Sequence, residues 1–238
     1  MKKIIALGLV SVMMMSPLSG MAFSDVSDSP YKSEIEFFKK EGVVVGKGDG
    51  KFYPKDKLTR AETAKICAEI LPDIYSEETR LVFSDVLFDH WGVKEIGNAS
   101  LVIDALTPEY TERFPEEHSQ RLFYPEKAVT AEYILDICLE ILGYRTIKEE
   151  PDIGYENTIK KAKESGLLNG INIIEGQEIK REEAMKIFYN AINAPIVITE
   201  GLSYNAELGK FVTNIKIMDG SSEDTPFMSL WMYKNKKR

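Results

Sequence analysis

The chain has 238 residues, with 30 lysines and arginines against 38 aspartates and glutamates, for a formal net charge of −8. That balance argues against nucleic acid as the main partner, because phosphates call for a basic face; local arginines can still receive an acidic ligand. The only cysteines, Cys67 and Cys138, lie far outside the spacing of a metal or redox pair.

Lys2 and Lys3 precede an apolar run over Ile4–Met15, and Gly20-Met21-Ala22 supplies a small-x-small cleavage site. Residues 1–22 therefore read as a secretory signal peptide. Its removal takes away two lysines and no acids, moving the formal charge from −8 to −10. The rest of the chain offers no stretch of about 20 apolar residues that could span a bilayer. The expected product is secreted, with no transmembrane segment in the mature chain.

The next elements recur. Phe23–Val26 is "FSDV", and Phe83–Val86 is "FSDV" again. After the first comes a helical pattern ending in "IEFFKKEGVVVG" (Ile35–Gly46), then the loop Gly46–Gly50, "GKGDG", then "KFYPKDKLTRAE". Thr59 and Glu62 have capping-box spacing, which predicts a helix with Thr59 as N-cap and Arg60 as its first residue. A cation there faces the positive end of the helix dipole, at a cost of roughly 0.3–1 kcal/mol.

The segment Leu58–Pro72 aligns without gaps with Val129–Gly143 and Ile179–Asn193. Each carries apolar residues at i, i+3, i+4 and i+7: Ala64, Cys67, Ala68, Leu71; Leu135, Cys138, Leu139, Leu142; Met185, Phe188, Tyr189, Ile192. Cys67 and Cys138 fall at the position that Phe188 fills, so both read as core packing and not as a disulfide. "DHW" (Asp89–Trp91) opens the first helix of the second unit, and the polar stretch Thr107–Gln120 is an insertion within that unit. Ile159–Gly170 lies over Ile35–Gly46, while Pro151-Asp152-Ile153 is the nearest counterpart of "FSDV" in the third unit.

The predicted class is mainly α: three helix-loop-helix units sharing one core, since two short helices cannot bury their faces alone. Their boundaries are 23–82, 83–146 (degenerate, with the insertion) and 147–195. Beyond Pro195 the pattern alternates, with strand-like pieces at Ile196–Thr199, Lys210–Met218 and Phe227–Tyr233. Residues 196–238 are thus a small β-rich extension, too short for its own core and expected to lean on the third unit. Lys234–Arg238 reads as a solvated basic tail.

"FSDV", "GVVVGKGDGKFYPKDKLTRAE" and the helix that follows resemble the S-layer homology family of bacterial surface modules. The resemblance covers about Phe23 to Ala194. It implies a pseudo-threefold bundle of three repeats, non-covalent attachment to the cell surface or cell wall, and grooves that bind the acidic, often pyruvylated, secondary cell wall polysaccharide of Gram-positive-type envelopes. The second unit departs from the motif, with Ala131 where Arg60 stands, and the third has Lys180 at the cap position.

An anion at a helix N-terminus meets free N–H groups, and an arginine beside it adds a two-pronged grip on a carboxylate. Thr59-Arg60 and Lys180-Arg181 are the two corners where this can be built; alternatively Arg60 pairs with Asp56 or Asp25. Trp91 either stacks on a sugar face or packs as a core residue of the first helix. Asp25 and Asp85 either accept sugar hydroxyls or cap the following turn. Gly48 either admits a close ligand approach or shapes a plain tight loop.

Other chemistries lack their residues. The glycine loop has neither the acids of a calcium site nor the G-K-[ST] ending of a phosphate loop. His90 and His118 are isolated, which leaves no metal set, and there is no nucleophile elbow. No cofactor and no enzymatic activity are expected. The competing expectation is a structural envelope protein whose repeats mainly contact other surface proteins.

Overall fold

The computed structural model describes residues 22–71, 81–100, 103–106, 122–144, 157–205 and 210–218. Residues 1–21 of the expected signal peptide, the stretch 107–120 read as an insertion, the "PDI" segment, His118 and the pieces after Met218 lie outside them. The described elements are α1 (Lys32–Lys40), α2 (Arg60–Ile70), α3 (Val93–Ala99), a short 3-10 turn (Asp104–Leu106), α4 (Ala131–Ile141), α5 (Thr158–Glu164), α6 (Arg181–Ile192), β1 (Ile196–Asn205) and β2 (Lys210–Met218). The chain is mainly helical, as its periodicity predicts.

The three aligned helices begin where the sequence supplies caps. The Thr59 hydroxyl accepts the Glu62 N–H at 3.2 Å, and the Glu62 carboxylate accepts the Thr59 N–H at 3.1 Å. Thr130 accepts from the Tyr133 N–H at 3.4 Å. Lys180 has no acceptor to offer, so α6 keeps only the return half of the box, from the Lys180 N–H to Glu183 at 2.9 Å.

Just before these caps the three segments meet. The Leu58 N–H donates to the Ile179 carbonyl (3.2 Å), Ile179 to Val129 (2.9 Å), and Val129 back to Leu58 (3.0 Å). The three side chains are buried at this closed ring, and short antiparallel bridges Lys57–Lys180, Thr59–Ala128 and Thr130–Glu178 flank it.

Three helix pairs run around the ring in one sense, α3 on α2, α5 on α4, and α1 on α6, and α4 also packs on α6. The first helix of each predicted unit thus rests on the second helix of the preceding one. Polar contacts mark the three pairs at aligned positions. Lys65 meets Glu95 (3.3 Å), Asp136 accepts from Thr158 (2.7 Å), and Lys186 meets Glu34 (2.9 Å). The apolar stripes face one shared core, in which Cys67 and Cys138 are buried free thiols.

β1 and β2 form an antiparallel pair with an irregularity between Thr199 and Gly201. The hairpin is anchored where the sequence did not suggest. The Val197 N–H donates to the Leu142 carbonyl, at the end of α4, at 2.8 Å, so the extension leans on the second unit. Gly143 makes this approach possible: its φ is +92°, and a Cβ there would lie 2.2 Å from the Val197 carbonyl oxygen. We expect Gly143→Ala to lower stability by roughly 2–4 kcal/mol, the combined effect of left-handed strain and a backbone clash, as measured by urea unfolding.

Candidate functional site

The two "FSDV" motifs build the same device. Asp25 accepts the N–H groups of Phe52 (2.9 Å) and Tyr53 (2.8 Å), 27 and 28 residues away. Asp85 accepts those of Phe123 (2.8 Å) and Tyr124 (2.7 Å). Both carboxylates hold a turn in which the tyrosine carries a positive φ, +60° at Tyr53 and +56° at Tyr124, a conformation costly for a bulky side chain. The motif phenylalanines complete the clamp, with Phe23 on Phe52 and Phe83 on Phe123 at ring separations of 5.5 and 5.0 Å. Asp25 and Asp85 therefore fasten a remote "FYP" turn, rather than capping the turn that follows them.

Those turns feed the neighbouring helix. The Arg60 and Ala61 N–H groups donate to the Lys127 and Pro125 carbonyls at 3.0 and 2.9 Å, and Arg181 and Glu182 donate to Asp56 and Pro54 at 2.9 and 3.1 Å. With the Glu62 N–H on Thr59, the first-turn donors of α2 are engaged within the protein. These N–H groups are therefore not open to an anion, and only side chains could offer one a grip here.

The arginines lie in parallel settings with different counter-charges. Arg60 is 8% exposed. Its guanidinium lies over the Phe123 ring at 4.9 Å and the Tyr133 ring at 4.6 Å, and Nη2 donates to the Leu106 carbonyl at 2.7 Å. Nε is buried without a partner. Burial pushes the Arg60 pKa below its ordinary value, and nearby Tyr133 and Asp85 oppose the shift. Neither Asp25 nor Asp56 meets Arg60: Asp25 holds its turn, and Asp56 pairs with Lys47 at 3.2 Å. Arg181 is 7% exposed and lies over the Phe52 ring at 4.8 Å, with Nε donating to the Phe52 carbonyl at 3.0 Å. It also forms a close ion pair with Glu62.

Next to it, Glu182 is only 2% exposed and accepts from Ser29 (2.7 Å) and Lys55 (2.6 Å). Lys180 turns to Glu183 at 3.2 Å.

A groove of about 580 Å³ opens beside α2. Its lining includes Val43, Val44, Val45, Ile66 and Trp91 as apolar surface, Lys47, Lys65 and Arg181 as cations, and Thr59, Glu62 and Glu126 as polar groups. Val45 is 70% exposed and Trp91 54%. The structure brings Thr59, Trp91 and Arg181 to this groove; Arg60, Lys180, Asp25, Asp85 and Gly48 do not line it. Each cation already has an acidic neighbour: Glu62 for Arg181, Asp56 for Lys47, and Glu95 for Lys65.

Lys47, Lys65, Val45 and Glu62 were not singled out from the sequence as site residues. The readable signal for Lys65 is its place on the polar side of α2. Gly46, not Gly48, shapes the rim. A Cβ at Gly46 would sit 2.6 Å from the Lys51 carbonyl oxygen and 2.8 Å from the Phe23 ring, whereas one at Gly48 meets nothing within 4 Å.

The arginine settings predict unequal costs of removal. Arg181→Met strands the Glu62 carboxylate and should destabilise by roughly 3–5 kcal/mol, with partial recovery when Glu62→Gln is added. Arg60→Met leaves no acid behind and keeps a thioether against two rings, so its cost should stay under about 1.5 kcal/mol. Denaturant midpoints of the three variants check this ordering.

Comparison with known proteins points the same way for part of the chain. The S-layer homology domain model matches residues 22–64, which hold the first clamp, the Gly46 loop and the capping box of α2. A cell surface protein of Thermoanaerobacter kivui is 26% identical over 180 residues, covering 74% of this chain and 22% of that protein. The chain therefore spans only about a fifth of the length of this curated relative. Among the described residues no helix is long and apolar enough to cross a membrane. The segment that carries the first "FSDV" clamp and the start of α2 is thus, by sequence, similar to the S-layer homology domain.

Proposed function

We propose that the chain is a non-enzymatic attachment module of the bacterial cell surface. On this reading residues 23–82, 83–146 and 147–195 are three S-layer homology repeats in a pseudo-threefold bundle, and residues 196–238 are a β-rich appendage. The closed ring at Leu58, Val129 and Ile179 and the one-sense helix pairing support the threefold arrangement. The module holds its protein on the envelope by binding an acidic, pyruvylated secondary cell wall polysaccharide in the groove beside α2.

The observation that carries this reading is the groove's mixed lining. A half-exposed tryptophan and the exposed Val45 offer apolar faces to a pyranose ring or a pyruvyl methyl group, while Lys47, Lys65 and Arg181 line the same groove as candidates for a carboxylate. Those cations rest on Asp56, Glu95 and Glu62. A ligand carboxylate competes with these internal acids, so net affinity comes from the sugar stack and the cations together. Lys47 is the cation most free to reorient, since its pair with Asp56 is solvated and weak; Lys65 is partly buried between Glu69 and Glu95. Arg181 stays fixed and supplies field.

Calorimetric titration with purified wall polysaccharide, native and with its pyruvyl groups removed, tests the proposal. Binding to the native polymer should weaken by roughly tenfold or more without the acid, and by about tenfold in Lys65→Ala or Trp91→Ala, a loss near 1.4 kcal/mol each. It should fall with added salt. Arg60→Met, whose side chain lies outside the groove, should bind within about twofold of the parent. Equal affinity for both polymer forms would overturn the reading.

A further inference from the structure

The Trp91 indole is over half exposed at the edge of the groove. A side chain in that position ordinarily samples several rotamers, and a ligand that stacks on it must first order it. Its neighbour is held differently. His90 is only 16% exposed and stacks on Trp91 with ring centroids 5.5 Å apart and planes 28° from parallel. One edge of the imidazole is bound to backbone, since Nδ1 accepts the Gly92 N–H at 3.0 Å. The other nitrogen, Nε2, lies 3.3 Å from Glu126 Oε1. With Nδ1 accepting, the hydrogen-bond network assigns the proton to Nε2, which donates to the carboxylate. The imidazole is therefore held at Nδ1 by the start of α3, while Nε2 meets the largely exposed Glu126 on the turn clamped by Asp85.

We propose that His90 is a positioning residue: it sets the Trp91 ring as a preformed wall of the groove, so that a sugar meets a plane already oriented. This rests on the reading of the groove as a sugar site, but its first half concerns the free protein alone. Glu126 lines the groove and anchors His90. The turn, the imidazole and the indole therefore form one continuous support, which neither the family match over residues 22–64 nor the groove's cations account for.

The test uses the full chain carrying Trp231→Phe, so that Trp91 is the one remaining tryptophan. Near-ultraviolet circular dichroism and fluorescence anisotropy of the free protein report how firmly the indole is held, and titration with native wall polysaccharide reports binding. His90→Ala should lose most of the Trp91 dichroic band and bind about fivefold more weakly. His90→Phe, which restores a flat stacking partner, should recover at least half of the band and of the affinity. Thermal melts of both variants show that the helices are retained. An unchanged Trp91 signal in His90→Ala overturns the inference, and so does weaker binding with an unchanged signal, which would make His90 a direct ligand contact. If the parent binds no polymer, the sugar reading falls, while the Trp91 signal still decides whether His90 positions the ring.

Discussion

The structure depends on three backbone hydrogen bonds that close on themselves. Leu58, Val129 and Ile179 each donate to one neighbour and accept from the other, so no pair of segments can complete the set. Around this ring the starts of α2 and α6 are each supported by the next unit's turn. Arg60 and Ala61 rest on the Lys127 and Pro125 carbonyls, and Arg181 and Glu182 on those of Asp56 and Pro54. A helix begins with donors that have no partner within it; here they are satisfied from a neighbouring turn, which ties capping to assembly. The helices are short, 7 to 12 residues, and such lengths are marginal alone. Their stability comes from the circle.

This arrangement resolves the unfavourable placement of arginine at a helix start. The guanidinium does not remain at the dipole's positive end in solvent. It reaches across to the phenylalanine of the adjoining "FYP" turn, Phe123 for Arg60 and Phe52 for Arg181, and the cation–π contact and carbonyl bonds offset the dipole term. At the junction where Ala131 replaces arginine, the residue aligned with those phenylalanines is Ile173. The cation and its aromatic shelf are missing together. An arginine needs the ring, and a ring without its arginine would leave a poorly filled seam.

Much of this was legible beforehand, and the rest was not, for physical reasons. The capping box, the three amphipathic stripes and the buried thiols follow from local spacing, because a helix's apolar face is encoded within a few residues of itself. Periodicity says which face is buried but not against what, so the pairing of α1 with α6 could not be read from either helix. The partner of Asp25 lies 27 residues on, beyond the reach of any turn rule. The groove was seen in part: Trp91 and Arg181 carry distinctive chemistry, whereas Lys65 looks like any solvated lysine until α3 brings Glu95 and Trp91 beside it. Arg60 drew attention through its motif, yet its burial against Tyr133 depends on where α4 docks.

The attachment of the hairpin has a mechanical meaning. β1 starts four residues after α6 ends, yet its first firm hold is the Leu142 carbonyl at the tip of α4. Tension applied from beyond Met218 would reach the helical body at that point as well as through the chain, loading two neighbouring helices at once instead of peeling the last one away. A tether fastened in this manner shares a pull across a seam between its parts, which suits a body that must stay closed while something is drawn from one end.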